Sequence, residues 1–325
     1  MATIKDIAKL AGVSTATVSR ILNDKGGASA EMIARVKGIA QAVNYRPNDL
    51  ARSLSRGNSS LVAVMIPDLS NPFFPELVHA IEQTCIKHHL EVLICNTMDR
   101  RDKIDYFLGS IADNHALGAV ICTHLVKQED LSWLEQRGVH TITTDRSSFD
   151  HPYSAVNIDQ ARGTFIATKR LIDKGRKHIM LVGGPPDEQA NNRESGYHMA
   201  LTNSDLDFEY IAHGDYTLAN GYAEVTAALA KHTDIDGIIS TNDLMAIGAM
   251  RACSDLRRSV PADISIIGND DISIDDYLTP RLSSLSQRTT EVAQLIIEEL
   301  LSVTRGNAHP RKITLEPELI LRDSD

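Results

Sequence analysis

Cysteine is scarce in this sequence, and no hydrophobic segment is long enough to cross a membrane. The four cysteines among 325 residues show no Cys-x-x-Cys spacing, so we expect small buried side chains rather than a metal or redox site. No apolar run approaches the ~20 residues of a membrane span, and the N-terminal residues lack the hydrophobic stretch of a secretory signal. We therefore expect a cytoplasmic protein with no membrane partner. The cysteines are Cys85, Cys95, Cys122 and Cys253.

Motifs of common catalytic and cofactor sites are also missing. The chain contains no Gly-x-Ser-x-Gly, His-Glu-x-x-His or Gly-x-Gly-x-x-Gly pattern. The Gly-Gly-Pro-Pro run at 183–186 predicts a turn rather than a phosphate loop, because prolines lack a backbone donor. The paired aspartates at 270–271 and 275–276 lack the ligand spacing of a calcium loop. The missing Gly-x-Gly-x-x-Gly pattern disfavours a nucleotide-dependent Rossmann enzyme. We expect no enzyme, no cofactor and no metal.

Negative charge predominates, with a formal net charge of -10, but its distribution is uneven. Residues 1–60 contain nine Lys or Arg and four Asp or Glu, a net charge of +5. The remaining residues contain 24 basic and 39 acidic side chains, a net charge of -15. Because phosphate attracts the first segment and repels the second, we expect contact with nucleic acid only near the N-terminus.

Three short helices are predicted in the basic segment. Residues 4–11 place apolar side chains on one face, with Thr3 as the N-cap. Ser14 caps a second helix, whose apolar side lies opposite a polar face that ends in Arg20, and Ser29 caps a third helix. Two helices joined by a tight turn are typical of a helix-turn-helix whose second helix enters the major groove. A plain three-helix bundle with a solvated Arg20 is the alternative.

The residues after this bundle favour a further short helix that starts at Pro47 and ends at Gly57. A helix of about two turns is marginal in water, so we expect it to form only when something packs against it. Leu54 would then wedge into a base step of the minor groove while Arg52 meets a phosphate. An ordinary charged linker is the alternative.

The runs TIKDIAKLAGVSTATVSRILN at 3–23 and YRPNDLARSL at 45–54 strongly resemble the lac repressor/galactose repressor family of bacterial transcription regulators. The resemblance implies a sequence-specific DNA-binding regulator at the bacterial nucleoid, with Thr15, Ala16 and Arg20 facing the bases. The residues expected to contact DNA, including those of the hinge helix, are Thr3, Ser14, Thr15, Ala16, Thr17, Ser19, Arg20, Asn23, Tyr45, Asn48, Ala51, Arg52 and Leu54.

From residue 61 onward, apolar runs of strand length alternate with amphipathic helical stretches, which predicts parallel sheets covered by helices. A first series of strands is predicted at 61–67, 91–96, 117–123 and 139–144. The pattern restarts with strands at 154–159, 178–184, 210–214, 236–241 and 264–268. Two successive doubly wound parallel sheets make two lobes. Ligands of such sheets bind beyond the carboxyl ends of the strands, so the cleft between the lobes is the expected site.

Polar and aromatic side chains follow the ends of these predicted strands. Planar rings stack on the C–H faces of a sugar, and charged or amide groups pair with its hydroxyls. Some of these residues also have a simpler structural explanation, with Phe73 and Phe74 as core and Asn242 as a helix N-cap. Because all of them follow strand ends, we expect them to form one binding site, and their types favour a polyhydroxylated ligand. The candidates are Asn71, Phe73, Phe74, Asp145, Arg146, Arg193, Asn242, Asp270 and Gln287.

The body resembles the periplasmic sugar-binding-protein fold that the same regulator family shares. By that resemblance the candidate set matches ribose-binding members, which implies a repressor of a sugar-utilisation operon with ribose or a related pentose as effector. A hexose, a sugar phosphate, a purine or a phosphoprotein co-effector is the alternative, and a solute-binding protein without regulatory role is another. We expect a homodimer on a pseudo-palindromic operator in double-stranded DNA. No apolar heptad tail is seen, so coiled-coil tetramers are not expected.

Three domains are expected. They are a helix-turn-helix headpiece at 1–45, a hinge at 46–59 and a two-lobed effector-binding and dimerisation domain at 60–325. The N-lobe would comprise residues 60–157 and 289–316, and the C-lobe residues 158–288 and 317–325. Sugar binding would alter the closure of the lobes and so change how readily the hinge helix forms. DNA binding acts on the same equilibrium, so the affinities for sugar and for DNA depend on each other.

Overall fold

The computed structural model describes residues 2–22, 26–45, 59–144, 152–186, 190–306 and 309–325. Two compact units divide the chain, Met1–Ser59 and Ser60–Asp325. Most of the expected hinge, residues 46–58, lies outside the described residues. So do the candidate residues Asn23, Asn48, Ala51, Arg52, Leu54, Asp145 and Arg146.

The described residues of the N-terminal unit form three helices around a small apolar core, as the sequence predicts. Thr3 and Asp6 form a capping box, in which Asp6 N donates to Thr3 Oγ1 at 3.3 Å and Thr3 N donates to Asp6 Oδ2 at 2.8 Å. Gly12 ends this first helix with a φ of 68°, a conformation that glycine adopts without strain. The helices are α1 (Ile4–Ala11), α2 (Thr15–Leu22) and α3 (Ala30–Ala42). Their buried core residues are Ile7, Ala8, Ala11, Val18, Ile21, Val36 and Ala40.

The first lobe of the body is a six-stranded sheet in which all strand pairs are parallel. Its strands are β1 (Leu61–Ile66), β2 (Glu91–Asn96), β3 (Gly118–Ile121), β4 (His140–Thr144), β5 (Ser154–Ile158) and β11 (Lys312–Leu315), in the order β11-β5-β4-β3-β1-β2. Its helices are α4 (Phe73–Lys87), α5 (Arg101–Asp113), α6 (Gln128–Glu135) and α11 (Thr289–Thr304). Apolar clusters form around both α4 with α11 and α5 with α6, as expected for a doubly wound sheet.

The second lobe repeats this architecture with one antiparallel edge. Its strands are β6 (Ile179–Gly183), β7 (Tyr210–His213), β8 (Gly237–Ser240), β9 (Ser265–Asp270), β10 (Ser283–Ser286) and β12 (Glu318–Ile320), in the order β12-β10-β9-β8-β6-β7. Only the β10–β12 pair of this sheet is antiparallel within the part of the chain described. The helices are α7 (Gln160–Asp173), α8 (Ala190–Thr202), α9 (Leu218–Lys231) and α10 (Asp243–Asp255), and a 3₁₀ helix spans Ser273–Tyr277.

One strand lies in a different sheet from the one that the sequence pattern indicates. The apolar pattern restarts with the strand at 154–159, but β5 pairs with β4 and β11 and so belongs to the first sheet, which agrees with the expected N-lobe range of 60–157. The described chain passes between the lobes after β5, after β10 and between β11 and β12. A strand followed by a helix has the same apolar pattern in either sheet. Periodicity alone therefore does not show whether the strand comes before or after the point where the chain passes to the other lobe.

Candidate functional site

A cavity of about 200 Å³ lies in the body where the carboxyl ends of strands from both sheets meet. Six of the predicted effector-binding residues line it, and they come from both lobes. These six are Asn71, Phe73, Phe74, Arg193, Asn242 and Asp270. The fold therefore brings together side chains that are up to 199 positions apart in the sequence, which is the position that parallel sheets favour for a ligand.

The first lobe contributes an aromatic pair that Asn71 holds in place. Asn71 Oδ1 accepts a hydrogen bond from Phe73 N at 3.1 Å, and its carbonyl oxygen accepts one from Phe74 N at 3.1 Å. The two rings meet edge to face, with centroids 5.0 Å apart and planes at 69°. Both rings are only 5 % exposed and also pack in the apolar core of the first lobe, so core and cavity roles coincide.

The second lobe contributes Asn242 and Asp270. Asn242 caps α10, because its Oδ1 accepts from Met245 N at 2.9 Å, and its Nδ2 donates to the Tyr216 carbonyl at 2.9 Å. Asn242 therefore both caps α10 and lines the cavity. Asp270 has a φ of 137°, which a non-glycine residue adopts only at a cost of about 1–3 kcal/mol. Asn269 Nδ2 donates to Asp270 Oδ1 at 3.1 Å and fixes this carboxylate.

Arg193 and Gln287 are linked through a residue that the sequence did not single out. Arg193 Nε donates to Gln160 Oε1 at 3.0 Å, and Gln160 Nε2 donates to Gln287 Oε1 at 2.9 Å. Arg193 Nη1 also donates to the Thr241 carbonyl at 2.9 Å. Gln287 does not lie among the described residues that line the cavity; it is 4 % exposed and supports the wall from behind.

Several further lining residues were missed because only some strand ends were considered. Asp99 follows β2, and the run from Asp215 to Leu218 follows β7, at the same edge of the sheets as the predicted residues. Extending the rule on strand ends to the predicted strands at 91–96 and 210–214 would have found these residues. The other lining residues outside the candidate set follow strand ends that did supply candidates, and they are Pro67, Asp68, Ser70 and Leu244.

Negative charge predominates among the described lining residues of this cavity. Four carboxylates, those of Asp68, Asp99, Asp215 and Asp270, face one guanidinium. Neighbouring hydroxyls donate to three of them: Ser70 to Asp68, Thr123 to Asp99 at 2.9 Å and Thr217 to Asp215 at 2.6 Å. Such acceptors suit ligand hydroxyls and repel an anion. Nowhere in the described ranges do three His, Cys, Asp or Glu side chains form a group that could hold a metal ion.

The N-terminal unit presents a separate polar face on α2. Ser14, Thr15, Ala16 and Arg20 are exposed, whereas Val18 and Ile21 point into the core. Ser14 Oγ accepts from Thr17 N at 3.1 Å and caps the helix. Of the other expected DNA contacts, Thr3 is an exposed N-cap, Thr17, Ser19 and Tyr45 are half-buried, and the Tyr45 ring packs on the apolar core. No helix that the structure describes has the length and hydropathy of a membrane span.

Two separate parts of the chain match known protein families. Residues 3–48 match the family described as bacterial regulatory proteins, lacI family, and residues 168–324 match the periplasmic binding protein-like domain. The ribose operon repressor of Escherichia coli strain K12 is 30 % identical over 329 residues, which cover 100 % of both proteins. The chain belongs to the lacI family of bacterial regulatory proteins. It is thus a DNA-binding transcription regulator, and the expected family and fold class are confirmed.

Further relatives and solved structures are similar over most of their length. The HTH-type transcriptional repressor PurR of Aliivibrio fischeri strain ES114 is 30 % identical over 331 residues, covering 100 % of this chain and 98 % of PurR. The crystal structure of the lac repressor dimer bound to operator and an anti-inducer superposes with a TM-score of 0.86 at 25 % identity, covering 99 % and 98 % of the two chains. A lacI-family regulator from Enterococcus faecium with bound ribose gives a TM-score of 0.73 at 26 % identity, covering 81 % and 98 %.

Proposed function

We propose that this lacI-family protein is a homodimeric repressor of a sugar-utilisation operon and that ribose, or a related pentose, controls its affinity for the operator. It would act in the bacterial cytoplasm, at the nucleoid, and would bind the sugar without transforming it. The observation that carries the proposal is the cavity between the lobes, whose walls combine an aromatic pair, amides, carboxylates and a guanidinium.

The size and charge of the cavity favour a small neutral sugar. A volume of about 200 Å³ is below the roughly 300–1,000 Å³ of pockets for drug-sized ligands, so a monosaccharide suits it better than an oligosaccharide. Phe73 and Phe74 supply rings for the apolar faces of the sugar, and Asn242, Asp270 and Arg193 supply hydrogen-bonding groups. The excess of carboxylates disfavours a sugar phosphate. The ribose operon repressor among the relatives and the ribose-bound structural neighbour support the same ligand.

The exposed face of α2 supports the DNA-binding half of the proposal. Arg20 is the strongest base-reading group there, because a guanidinium matches the O6 and N7 acceptors of guanine. Thr15 and Ala16 are small enough for the helix to lie close to the floor of the major groove. We infer that the segment 46–59 transmits lobe closure to the DNA, as the sequence analysis predicts.

Dimer formation is supported by exposed apolar side chains on one edge of the first sheet. Ile94 on the edge strand β2, Met98 after it and Tyr106 on α5 are 46 %, 59 % and 69 % exposed. An uncovered edge strand with apolar neighbours is a surface that a second copy can cover. The structurally similar lac repressor is a dimer bound to its operator. This agrees with a dimer of the present chain that places two helix-turn-helix headpieces on a pseudo-palindromic site.

A titration of operator affinity against candidate effectors tests the proposal. The operator is first selected from random double-stranded DNA by the purified full chain, and its affinity is measured by fluorescence anisotropy. We expect saturating ribose to change the dissociation constant for this DNA by at least tenfold, equivalent to about 1.4 kcal/mol of coupling. Glucose, ribose 5-phosphate and guanine are measured in parallel. A response to a purine or a phosphate but to no pentose would show that the sugar assignment is wrong.

The matched variant for this titration is Arg20→Ala. Loss of one bidentate base contact costs about 1–3 kcal/mol, so binding to the selected operator should weaken by at least fivefold. Ribose binding by the same variant, measured by calorimetry, should equal that of the wild type, because Arg20 lies outside the effector cavity. Unchanged preference for the selected operator would contradict the assignment of α2 as the recognition helix.

A further inference from the structure

Two carboxyl groups lie buried side by side behind the effector cavity, where they do not line it. Asp243 is the first residue of α10, next to the cavity residue Asn242, and Asp275 lies in the 3₁₀ helix that follows β9. Both residues are 0 % exposed, and their carboxyl groups are close enough that a hydrogen bond between them would lower the pKa of Asp243 and raise that of Asp275. Two buried carboxylates repel each other strongly, so a bond between them requires that one carries a proton.

The surrounding donors show which carboxyl is ionised. Asp243 Oδ1 accepts from Ser284 Oγ at 2.6 Å, and Asp243 Oδ2 accepts from Ile272 N at 3.1 Å. Within the described residues, no donor reaches either oxygen of Asp275. Asp243 also lies at the positive end of α10, which stabilises its negative charge. Asp243 is therefore the carboxylate, and Asp275 is the protonated partner that donates to it.

Nearby charges do not remove this proton. Burial, and after it the negative charge of Asp243, raise the pKa of Asp275 to about 10, and burial also raises the pKa of Asp243. Asp271 adds to both effects. Arg322 opposes the shift at Asp275, but its guanidinium is paired with Asp271 at 2.7 Å and with Asp276 at 2.6 Å. Asp275 thus stays protonated at neutral pH.

The loop between β9 and the 3₁₀ helix is the element that this pair restrains. Asp270 and Asp271 have φ values of 137° and 57°, so their backbone persists only if the surroundings hold it. Asp270 lines the cavity, and two residues further on Ile272 N donates to Asp243. The backbone at Gly268 passes so close that a Cβ there would collide with Asp243 Oδ1. Asp243 therefore packs against the chain before the strained segment and accepts a hydrogen bond just after it.

We propose that Asp243 and Asp275 share one proton and that this proton-bridged pair is a positioning device that holds the loop of residues 270–275 in its effector-binding conformation. The part that concerns the effector rests on the proposed function, whereas the shared proton and the restrained loop do not. Asp275 touches no ligand atom in this arrangement. It acts through Asp243 and the loop on Asp270.

The shared proton predicts a pH dependence that Asp275→Asn should abolish. The folded state keeps this proton up to a pH of about 10, whereas the unfolded carboxyl releases it near pH 4. The stabilising contribution is therefore complete below pH 4 and decreases as pH rises towards 10, by up to tenfold in the unfolding equilibrium per pH unit. Asparagine donates the same hydrogen bond without a titrating proton. Thermal unfolding from pH 6 to 9 should show the wild-type midpoint falling relative to Asp275→Asn.

The control for this measurement is Asp276→Asn, which makes the same chemical change at the adjacent, exposed position. It removes one partner of Arg322 but leaves Asp271 paired with this cation and the Asp275 proton in place, so it should keep a pH slope close to that of the wild type. Hydrogen exchange provides a second readout that needs no ligand, because Asp275→Ala lacks the donor. Amides of residues 270–277 should exchange at least tenfold faster in Asp275→Ala and at the wild-type rate in Asp275→Asn. Equal pH slopes in the wild type and Asp275→Asn, or equal exchange in the two Asp275 variants, would overturn the proposal.

Ribose affinity then tests the effector part. Asp275→Ala should raise the dissociation constant for ribose about tenfold, while Asp275→Asn and Asp276→Asn should stay within about threefold of the wild type. An Asp275→Asn variant as weak as Asp275→Ala would refute the positioning role. If the wild type itself binds no pentose, the proposed function fails, whereas the pH slopes and exchange rates still decide whether the carboxyl pair shares a proton and restrains the loop.

Discussion

Gln160 shows how one side chain connects parts of the site that lie far apart in sequence. Its amide accepts from Arg193 and donates to Gln287, with heavy-atom distances of 3.0 and 2.9 Å. Gln160 begins α7 just after the chain leaves β5, and Gln287 lies just after β10, so both belong to segments that pass between the lobes. The position of the Arg193 guanidinium in the cavity therefore depends on the segments that cross between the lobes.

Replacing Gln160 by alanine should weaken ribose binding without affecting DNA binding. The change removes one charge-assisted and one neutral hydrogen bond, each contributing about 0.5–3 kcal/mol, and leaves Arg193 with more freedom. We expect a five- to thirtyfold higher dissociation constant for ribose by calorimetry. Gln160→Glu is the matched control, since a carboxylate still accepts from Arg193 but no longer donates to Gln287. If Gln160→Ala binds ribose like the wild type, Arg193 does not depend on this bridge.

The sequence predicts the residues of the site better than their supporting contacts. Asn71, Arg193, Asn242 and Asp270 were found because each follows a recognisable strand, and the carboxyl ends of parallel strands meet at one edge. Gln160 could not be found in this way, because it starts a helix and has no signature beyond its polarity. The Asp243–Asp275 pair was also missed, since burial of an acid depends on contacts 32 residues apart that no local pattern records.

At the scale of elements, Glu299 attaches α11 to the edge of the first sheet. Its side chain is 0 % exposed, and Oε1 accepts from Ser154 Oγ of β5 at 2.9 Å. Its Oε2 accepts from Arg311 Nε at 2.8 Å, and Oε1 also accepts from Arg311 N at 3.2 Å. The helix, β5 and the residue before β11 are thus joined by one carboxylate.

Removing this carboxylate should destabilise the body. Glu299→Ala leaves the Ser154 hydroxyl without its acceptor and the Arg311 backbone amide with only its bond to Ser154 Oγ at 3.3 Å, at about 1–3 kcal/mol in total. The guanidinium of Arg311 is 60 % exposed and can return to water. We expect the free energy of unfolding in urea to fall by about 2 kcal/mol. Glu298→Ala changes the exposed neighbour on the same helix and should cost less than about 0.5 kcal/mol. Equal losses in both variants would show that Glu299 acts only through helix propensity.

Elements with a strong apolar pattern were predicted well, and short polar strands were not. The core strands of both sheets are buried apolar runs. The helices α1, α2 and α3 each have an N-capping residue and an apolar face. By contrast β10 has the sequence Ser-Ser-Leu-Ser, and its serines bond to buried groups such as Asp243 and Asp325. A segment of this composition predicts a loop, because only its neighbours in the sheet make it a strand.

At the scale of the whole molecule, the two lobes of the body touch beside the cavity through a contact that depends on their relative position. Glu76 lies on α4, one turn after the aromatic pair, and Ser273 follows the loop that carries Asp270. Glu76 Oε1 accepts from Ser273 N at 3.0 Å and from Ser273 Oγ at 2.8 Å. Because the partners belong to different lobes, this bond is present only when the lobes are as close together as they are in this structure. It therefore favours the arrangement of the lobes seen in this structure over one in which they lie further apart.

Glu76→Ala should shift the body towards a more open arrangement and weaken the sugar response. The contact is partly exposed, so we estimate about 1 kcal/mol, which corresponds to a fivefold higher dissociation constant for ribose. Glu76→Gln keeps an oxygen that accepts from Ser273 and should stay within about twofold of the wild type. Small-angle X-ray scattering without sugar should give a larger radius of gyration for Glu76→Ala than for Glu76→Gln. Identical scattering and identical ribose affinity in the two variants would show that the contact does not bias closure.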